Sequence, residues 1–283
     1  MQFDMNRTWS QALALVRRNF QLLALIAGVF MLLPSVLFYV AFPEILTMMS
    51  VTADPDAVEG QMLAMMPQLP IAGLAALLLQ MVGYMAMVAL IGNGRPTVGQ
   101  SIVRGIKGLP ALLGAVLLFA VGYLAATLIF GLVVGLVAAL FGMASESAAA
   151  GLGAIMSSVL IVIIFYVMVR FCLTLPAIVL ERLGPVAALR RSWRLTKPRA
   201  GAIFAFFALL FVAYMVISLL LFIVFGAFGF VAGSQPAGGT ALVLGLLSGV
   251  VGALTAVLLC GILVSIHGQL ASGAEPRELE FDV

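Results

Sequence analysis

Residues 170–199 read RFCLTLPAIVLERLGPVAALRRSWRLTKPR, from Arg170 to Arg199. They hold seven of the fourteen Lys and Arg residues: Arg170, Arg182, Arg190, Arg191, Arg194, Lys197 and Arg199. Long runs with almost no charge lie on either side. An apolar run that ends, turns and restarts as a basic segment reads as a membrane span followed by a helix on the membrane surface.

The composition carries that reading outward. Of 283 residues, 64% are hydrophobic and 9% charged, against about 25% charged in a soluble domain. Apolar runs fall at about 20–42, 70–92, 109–142, 152–180, 200–232 and 240–267, each able to supply the ~20 residues that cross a bilayer. The expected fold is therefore all-α, a polytopic helical membrane protein with six spans forming one domain over 1–267. A polar, acidic tail follows at 268–283. The runs are continuous rather than short and alternating, which excludes a barrel. Arg7, Arg17 and Arg18 precede a first run too long for the core of a cleavable signal peptide, so that span is expected to stay in the mature protein.

Six spans put both termini on one side. Segments 1–19, 93–108, 181–199 and 268–283 carry thirteen of the fourteen basic residues, and Arg170 is the other. The opposite loops, about 43–69, 143–151 and 233–239, carry Glu44, Asp54, Asp56, Glu59 and Glu146 but no Lys or Arg. The positive-inside rule then places both termini in the cytoplasm, in a bacterial inner membrane.

A repeat is visible as well. TWSQALALVRRNFQLLALIAG starts at Thr8, TVGQSIVRGIKGLPALLGAV at Thr97 and PVAALRRSWRLTKPRAGAIF at Pro185, 89 and 88 residues apart. Each leads from a short basic helix into a pair of spans, giving units of about 8–92, 97–180 and 185–267. Two spans per unit mean one shared orientation, hence three parallel repeats. The three short helices read as amphipathic and interfacial. Trp9, Leu13, Val16 and Phe20 form the apolar face of the first, Val98, Ile102 and Ile106 that of the second, and Val186, Leu189 and Trp193 that of the third. The interfacial basic residues are Arg7, Arg17, Arg18, Arg104 and Lys107, then Arg190, Arg194 and Lys197. Thr97 can cap the second helix, and Pro185 suits the first turn of the third. Pro34 and Pro176 are expected to bend their spans. The pairs Gly131–Gly135, Gly229–Gly233 and Gly245–Gly249 offer close helix approach in lipid.

Groups suited to catalysis are sparse. No Asp or Glu falls in mid-span, and no phosphate loop or nucleophile elbow occurs. No cofactor and no metal site are expected. The two cysteines, Cys172 and Cys260, are isolated in apolar surroundings. His267, the only histidine, reads as favouring a helix C-terminus rather than as a proton relay. Met48, Met49, Met62, Met65, Met66, Met81, Met85 and Met87 contain the thioethers that Cu(I) accepts, but they read as filling flexible interior positions. Arg170 lies ~27 Å along its run from the outer end, where an arginine is expected to snorkel to water. The alternative is a position facing the bundle interior, paired with Glu181 or a lipid phosphate.

The segment made of Arg170, Leu175–Glu181 (LPAIVLE), Gly184 and Ala188–Pro198 (ALRRSWRLTKP) resembles the signature of the membrane-domain family of glycerophosphoryl diester phosphodiesterases. By position the resemblance implies family-like roles for Arg170, Pro176, Glu181, Ala188, Ser192 and Trp193. The third helix ends in Lys197-Pro198-Arg199 rather than the family's Gly-Asn-aromatic ending. The resemblance implies a stand-alone membrane domain, since the chain has no room for the catalytic barrel that does the hydrolysis. The expected function is non-enzymatic: association with anionic membrane lipids, membrane organisation or lipid movement, with a protein partner conceivable and no nucleic acid. The competing reading is a transporter or channel for a small or apolar solute. The candidate lipid-phosphate or structural polar site comprises Arg170, Glu181, Arg190, Arg191, Ser192, Trp193 and Arg194.

Overall fold

Asp4 starts the first helix, α1 (Met5–Arg18), by accepting the N–H groups of Asn6 and Arg7 on Oδ1 at 2.9 and 3.1 Å. Such an N-cap satisfies donors that the helix itself leaves free. In the computed structural model, which describes residues 4–45, 55–92, 96–140, 146–232 and 238–272, each element in the chain order is a helix. Asn19 breaks the chain after α1, its side-chain amide donating back to Leu15 O at 2.9 Å. The first span then runs through α2 (Phe20–Ala27), a π-helical turn at Gly28–Leu32 and α3 (Leu33–Ala41). Pro34 has no N–H to give to Phe30 O, and the strand of hydrogen bonds widens just before it: Leu33 N–H reaches Gly28 O, five residues back. The bend expected at Pro34 takes this form.

A helix not expected from the sequence, α4 (Pro55–Met65), occupies the loop before α5 (Leu69–Ile91). Thr97 and Gln100 form a reciprocal capping box, at 3.2 and 3.3 Å. It opens α6 (Val98–Leu140), a single helix of 43 residues, about 64 Å long. The second basic segment is therefore not a separate surface helix, because α6 continues straight through Pro110 into the membrane span. Nothing in this stretch competes for the backbone as Asn19 does after α1. The fourth run is divided into α7 (Glu146–Phe171) and α8 (Thr174–Leu180). The third basic helix, α9 (Pro185–Thr196), leads through a 3-10 turn at Lys197–Arg199 into α10 (Ala200–Ala232). The final helix, α11 (Gly238–Ser272), passes the expected end of the last span at 267.

Six helices are long and apolar enough to cross a membrane: Phe20–Ala41, Leu69–Ile91, Val98–Ala139, Gly153–Leu180, Pro185–Leu220 and Leu242–Ala271. The chain is a multi-pass helical membrane protein. The first, second and last spans share a core of Leu23, Ile26, Met31, Met87, Leu90 and Val257, among others. Gly245 and Gly249 let α11 approach α3 and the π turn closely: a Cβ on Gly249 would sit 3.1 Å from both Cα and O of Leu32. Gly131 and Gly135 have open space where a Cβ would go, so the close approach expected there is not made. Gly233 lies outside the described residues. Among the described residues, the spans in α6, α7 and α10 are buried toward one end, at Leu112 and Ala115, Val169 and Arg170, and Ile203 and Phe206, where they meet α5, α8, α9 and α11. Elsewhere their apolar side chains are largely exposed, as suits a surface solvated by acyl chains.

The basic helices leave much of their apolar faces exposed, as expected of interfacial helices, and dock on the bundle by other residues. On α1 the buried residues are Thr8 and Ala12, whereas Trp9 and Phe20 are exposed. At the start of α6, Ser101 and Gly105 are buried and Ile106 is exposed. On α9, Ala188, Ser192, Leu195 and Thr196 are buried and Val186 and Trp193 are exposed. Small and hydroxyl-bearing residues thus meet the protein, because they allow close backbone approach and can satisfy polar partners. Of the larger apolar side chains, Leu195 joins the docked face, whereas Trp9, Ile106, Val186 and Trp193 remain outside it.

Candidate functional site

The site begins with a broken helix. Pro176 cannot donate to Cys172 O, which removes one rung from any continuous fourth span. Helix α7 stops at Phe171, Cys172 N–H turns back to Val169 O at 3.3 Å, and α8 restarts at Thr174. The break leaves Arg170 O and Leu173 N–H without their helical partners. Ser192 from α9 bridges both: its hydroxyl donates to Arg170 O at 2.8 Å and accepts from Leu173 N–H at 3.2 Å. Thr196, one turn on, places its hydroxyl 3.2 Å from the same carbonyl and 2.8 Å from Ser192 O. All of these groups are buried, where an unmet backbone donor or acceptor costs about 1–3 kcal/mol. The polar face of α9 thus completes the interrupted backbone of the fourth span.

Arg170 does not snorkel. It is 2% exposed, because α8 and α9 continue past the break and cover it. Its guanidinium lies 4.1 Å from the centre of the Trp193 ring, and Nη1 donates to Thr196 Oγ1 at 3.3 Å. The Nε atom has no partner among the described residues, and neither has the buried Thr174 hydroxyl. Nor is Arg170 paired with Glu181, whose described partners are Arg191 and His267. The charge is offset by the ring face and by its place in the last turn of α7, where helix carbonyls concentrate negative potential. A desolvated cation–π contact contributes roughly 2 kcal/mol.

Glu181 forms the second polar centre. It ends α8, and Arg182 after it takes φ 55°, a left-handed conformation usually filled by glycine. That residue turns the chain from α8 toward α9. The Glu181 carboxylate accepts from Arg191 Nε at 3.1 and 2.9 Å, and His267 Nε2 stands 2.9 Å from Oε1. A carboxylate only accepts, so His267 carries its proton on Nε2. The pairing ties α11 to α8 and α9. His267 does lie near the C-terminus of its helix as expected, but its main contact is this carboxylate, 86 residues away in sequence. Its being the sole histidine gave no sign of that partner.

Ala187, Arg190, Arg191 and Arg194 follow helical spacing and share one face of α9. With Glu181 and Leu183 they line an open cavity of about 370 Å³. Arg190 and Arg194 are exposed and have no ion pair among the described residues; Arg191 is half-buried. Arg191 meets Glu181 through Nε alone, and its terminal nitrogens have no partner among the described residues. Three guanidinium groups face one carboxylate, a local excess of two positive charges. A guanidinium binds phosphate or carboxylate oxygens through paired N–H groups.

The structure thus divides the candidate residues between two places. Glu181, Arg190, Arg191 and Arg194 meet at the cavity; Arg170 and Ser192 form a buried lock between α7 and α9, with the exposed Trp193 stacked on the guanidinium. Arg7, Arg17, Arg18, Arg104 and Lys107 are exposed on α1 and α6 and line no part of the cavity. Met65 is buried whereas Met62 and Met66 are exposed, and Met85 and Met87 are fully buried, the latter two serving apolar cores. Met48 and Met49 lie outside the described residues. Cys172 and Cys260 are free thiols, half-buried and buried.

Comparison with curated proteins and with solved structures gives no match. A family profile does match, over residues 4–270, which include α1, every span and both polar centres. The chain belongs to that family, DUF7847, a domain of unknown function.

Proposed function

We propose that this protein is a non-enzymatic membrane protein that associates with anionic lipids at the membrane face carrying its basic helices. The observation that supports this reading is the arginine-lined cavity on α9. A basic helix at an anionic leaflet gains roughly 1 kcal/mol per basic residue. Here the opposite face of the same helix is held by Ser192 and Thr196, so the guanidinium groups are presented from a fixed support. Charge distribution supports a cytoplasmic location for that face and for both termini, in a bacterial inner membrane.

The proposal includes a threefold repeat of basic helix plus hairpin over one membrane domain, 1–267, with a short tail. Each of the three basic segments fully buries a hydroxyl-bearing residue, Thr8, Ser101 and Ser192, which supports it. The resemblance of Arg170–Pro198 to the membrane domains of glycerophosphoryl diester phosphodiesterases is a further motive for a lipid role, and none for hydrolysis. Native mass spectrometry of protein extracted from mixed bilayers tests the reading. Anionic phospholipid is retained in preference to phosphatidylcholine; retention that ignores headgroup charge contradicts it.

A further inference from the structure

We propose, building on the lipid reading above, that the cavity beside α9 is a seat for a phosphate monoester headgroup, as in phosphatidate. Arg190 and Arg194 are free of ion pairs among the described residues, and Arg191 keeps its terminal nitrogens free while Nε holds Glu181. The excess of two positive charges matches a dianion. A monoester carries about −1.5 to −2 at pH 7 and offers three acceptor oxygens; a diester headgroup such as that of phosphatidylglycerol carries one charge and two free oxygens. Glu181 sets the selectivity. It opposes any anion entering the cavity, so a single charge is poorly rewarded while a double charge engages all three arginines. His267 holds the carboxylate from behind at 2.9 Å, which keeps Glu181 against Arg191 instead of letting it swing across the cavity. Leu183 and Ala187 supply the uncharged walls, and Ala187 leaves the room a longer side chain would take. A lipid fits better than free phosphate because the cavity opens on a helix whose Val186 and Trp193 are exposed beside it, as on a surface that meets acyl chains.

The test reconstitutes the full chain in phosphatidylcholine bilayers containing either phosphatidate or phosphatidylglycerol at equal charge, and measures retained lipid by native mass spectrometry. Phosphatidate is retained over phosphatidylglycerol by roughly tenfold in apparent affinity. The double variant Arg190→Gln, Arg194→Gln abolishes the preference while unfolding at the wild-type temperature, since neither side chain has a described ion pair to lose. Equal retention of both lipids overturns the monoester assignment and leaves the anionic-lipid reading standing; retention of neither over phosphatidylcholine overturns both. Displacement of phosphatidate by millimolar inorganic phosphate identifies the free ion as the occupant and overturns the lipid assignment. A preference that survives in the double variant places the site elsewhere.

Discussion

Helices α1 and α9 are both basic, both amphipathic and both laid against the bundle, yet they are fastened by different means. On α1 the buried Thr8 hydroxyl turns back to its own helix, at Asp4 O, and the bundle reaches in instead: Ser265 donates to Thr8 O at 3.2 Å. Gln11 Oε1 accepts from Ser265 and from Gln269 Nε2, each at 3.2 Å, and close approach adds to this, because a Cβ on Gly261 would stand 2.9 Å from Val16 and 3.2 Å from Ala12 O. On α9 the hydroxyls point outward and satisfy the backbone left open by the break before Pro176. The first helix is held by shape and by side-chain hydrogen bonds from α11. The third is held by shape and by a debt of hydrogen bonds in the fourth span, and its remaining face lines the cavity. Basic charge alone therefore does not make a site. What distinguishes α9 is that its orientation is enforced.

That contrast can be broken at several points. The largest effect is expected from Ser192→Ala, which removes the hydroxyl without adding bulk and leaves Arg170 O and Leu173 N–H without this partner. A loss of about 2–4 kcal/mol should appear in denaturant unfolding of the detergent-solubilised protein. Gly261→Val overfills the α1–α11 contact and should cost about 1–3 kcal/mol in the same assay. Arg170→Lys retains charge but loses the planar stack on Trp193, and a loss of about 1–2 kcal/mol is expected. Arg182→Gly should do the reverse, raising stability by about 1 kcal/mol, because glycine takes the left-handed turn without strain. The smallest change belongs to Thr8→Val, below about 1 kcal/mol, since it removes only a bond within its own helix. If Thr8→Val proves as costly as Ser192→Ala, the two helices are fastened alike and the comparison fails.

Much of this architecture is legible in the sequence. Apolar run lengths give the six spans, Thr97 marks a helix start, and Pro34 and Pro176 mark irregular turns. Glu181, Arg190, Arg191 and Arg194 are already conspicuous as charges beside a span. The docked faces are less legible, because an amphipathic pattern marks the stripe that meets lipid and not the residues that meet the bundle. In lipid, however, a large apolar side chain gains little by leaving acyl chains, and a small one gains close packing. Thr8, Ser101 and Ser192 are therefore buried instead. The burial of Arg170 is hidden for a related reason: distance along a helix places it near the interface, but only the fold shows α8 and α9 closing over it. The His267–Glu181 contact joins opposite ends of the chain's second half, and no local pattern announces such a pair.

The central claim is that α9, and not basic charge in general, holds the lipid headgroup. Measuring bound anionic phospholipid by native mass spectrometry for Arg190→Gln, Arg194→Gln and, in parallel, for Arg17→Gln, Arg18→Gln tests it most directly, because each pair removes two positive charges from one basic helix. The account predicts that the α9 pair loses the tightly retained lipid while the α1 pair keeps it. Equal loss from both, or loss from the α1 pair alone, would contradict it.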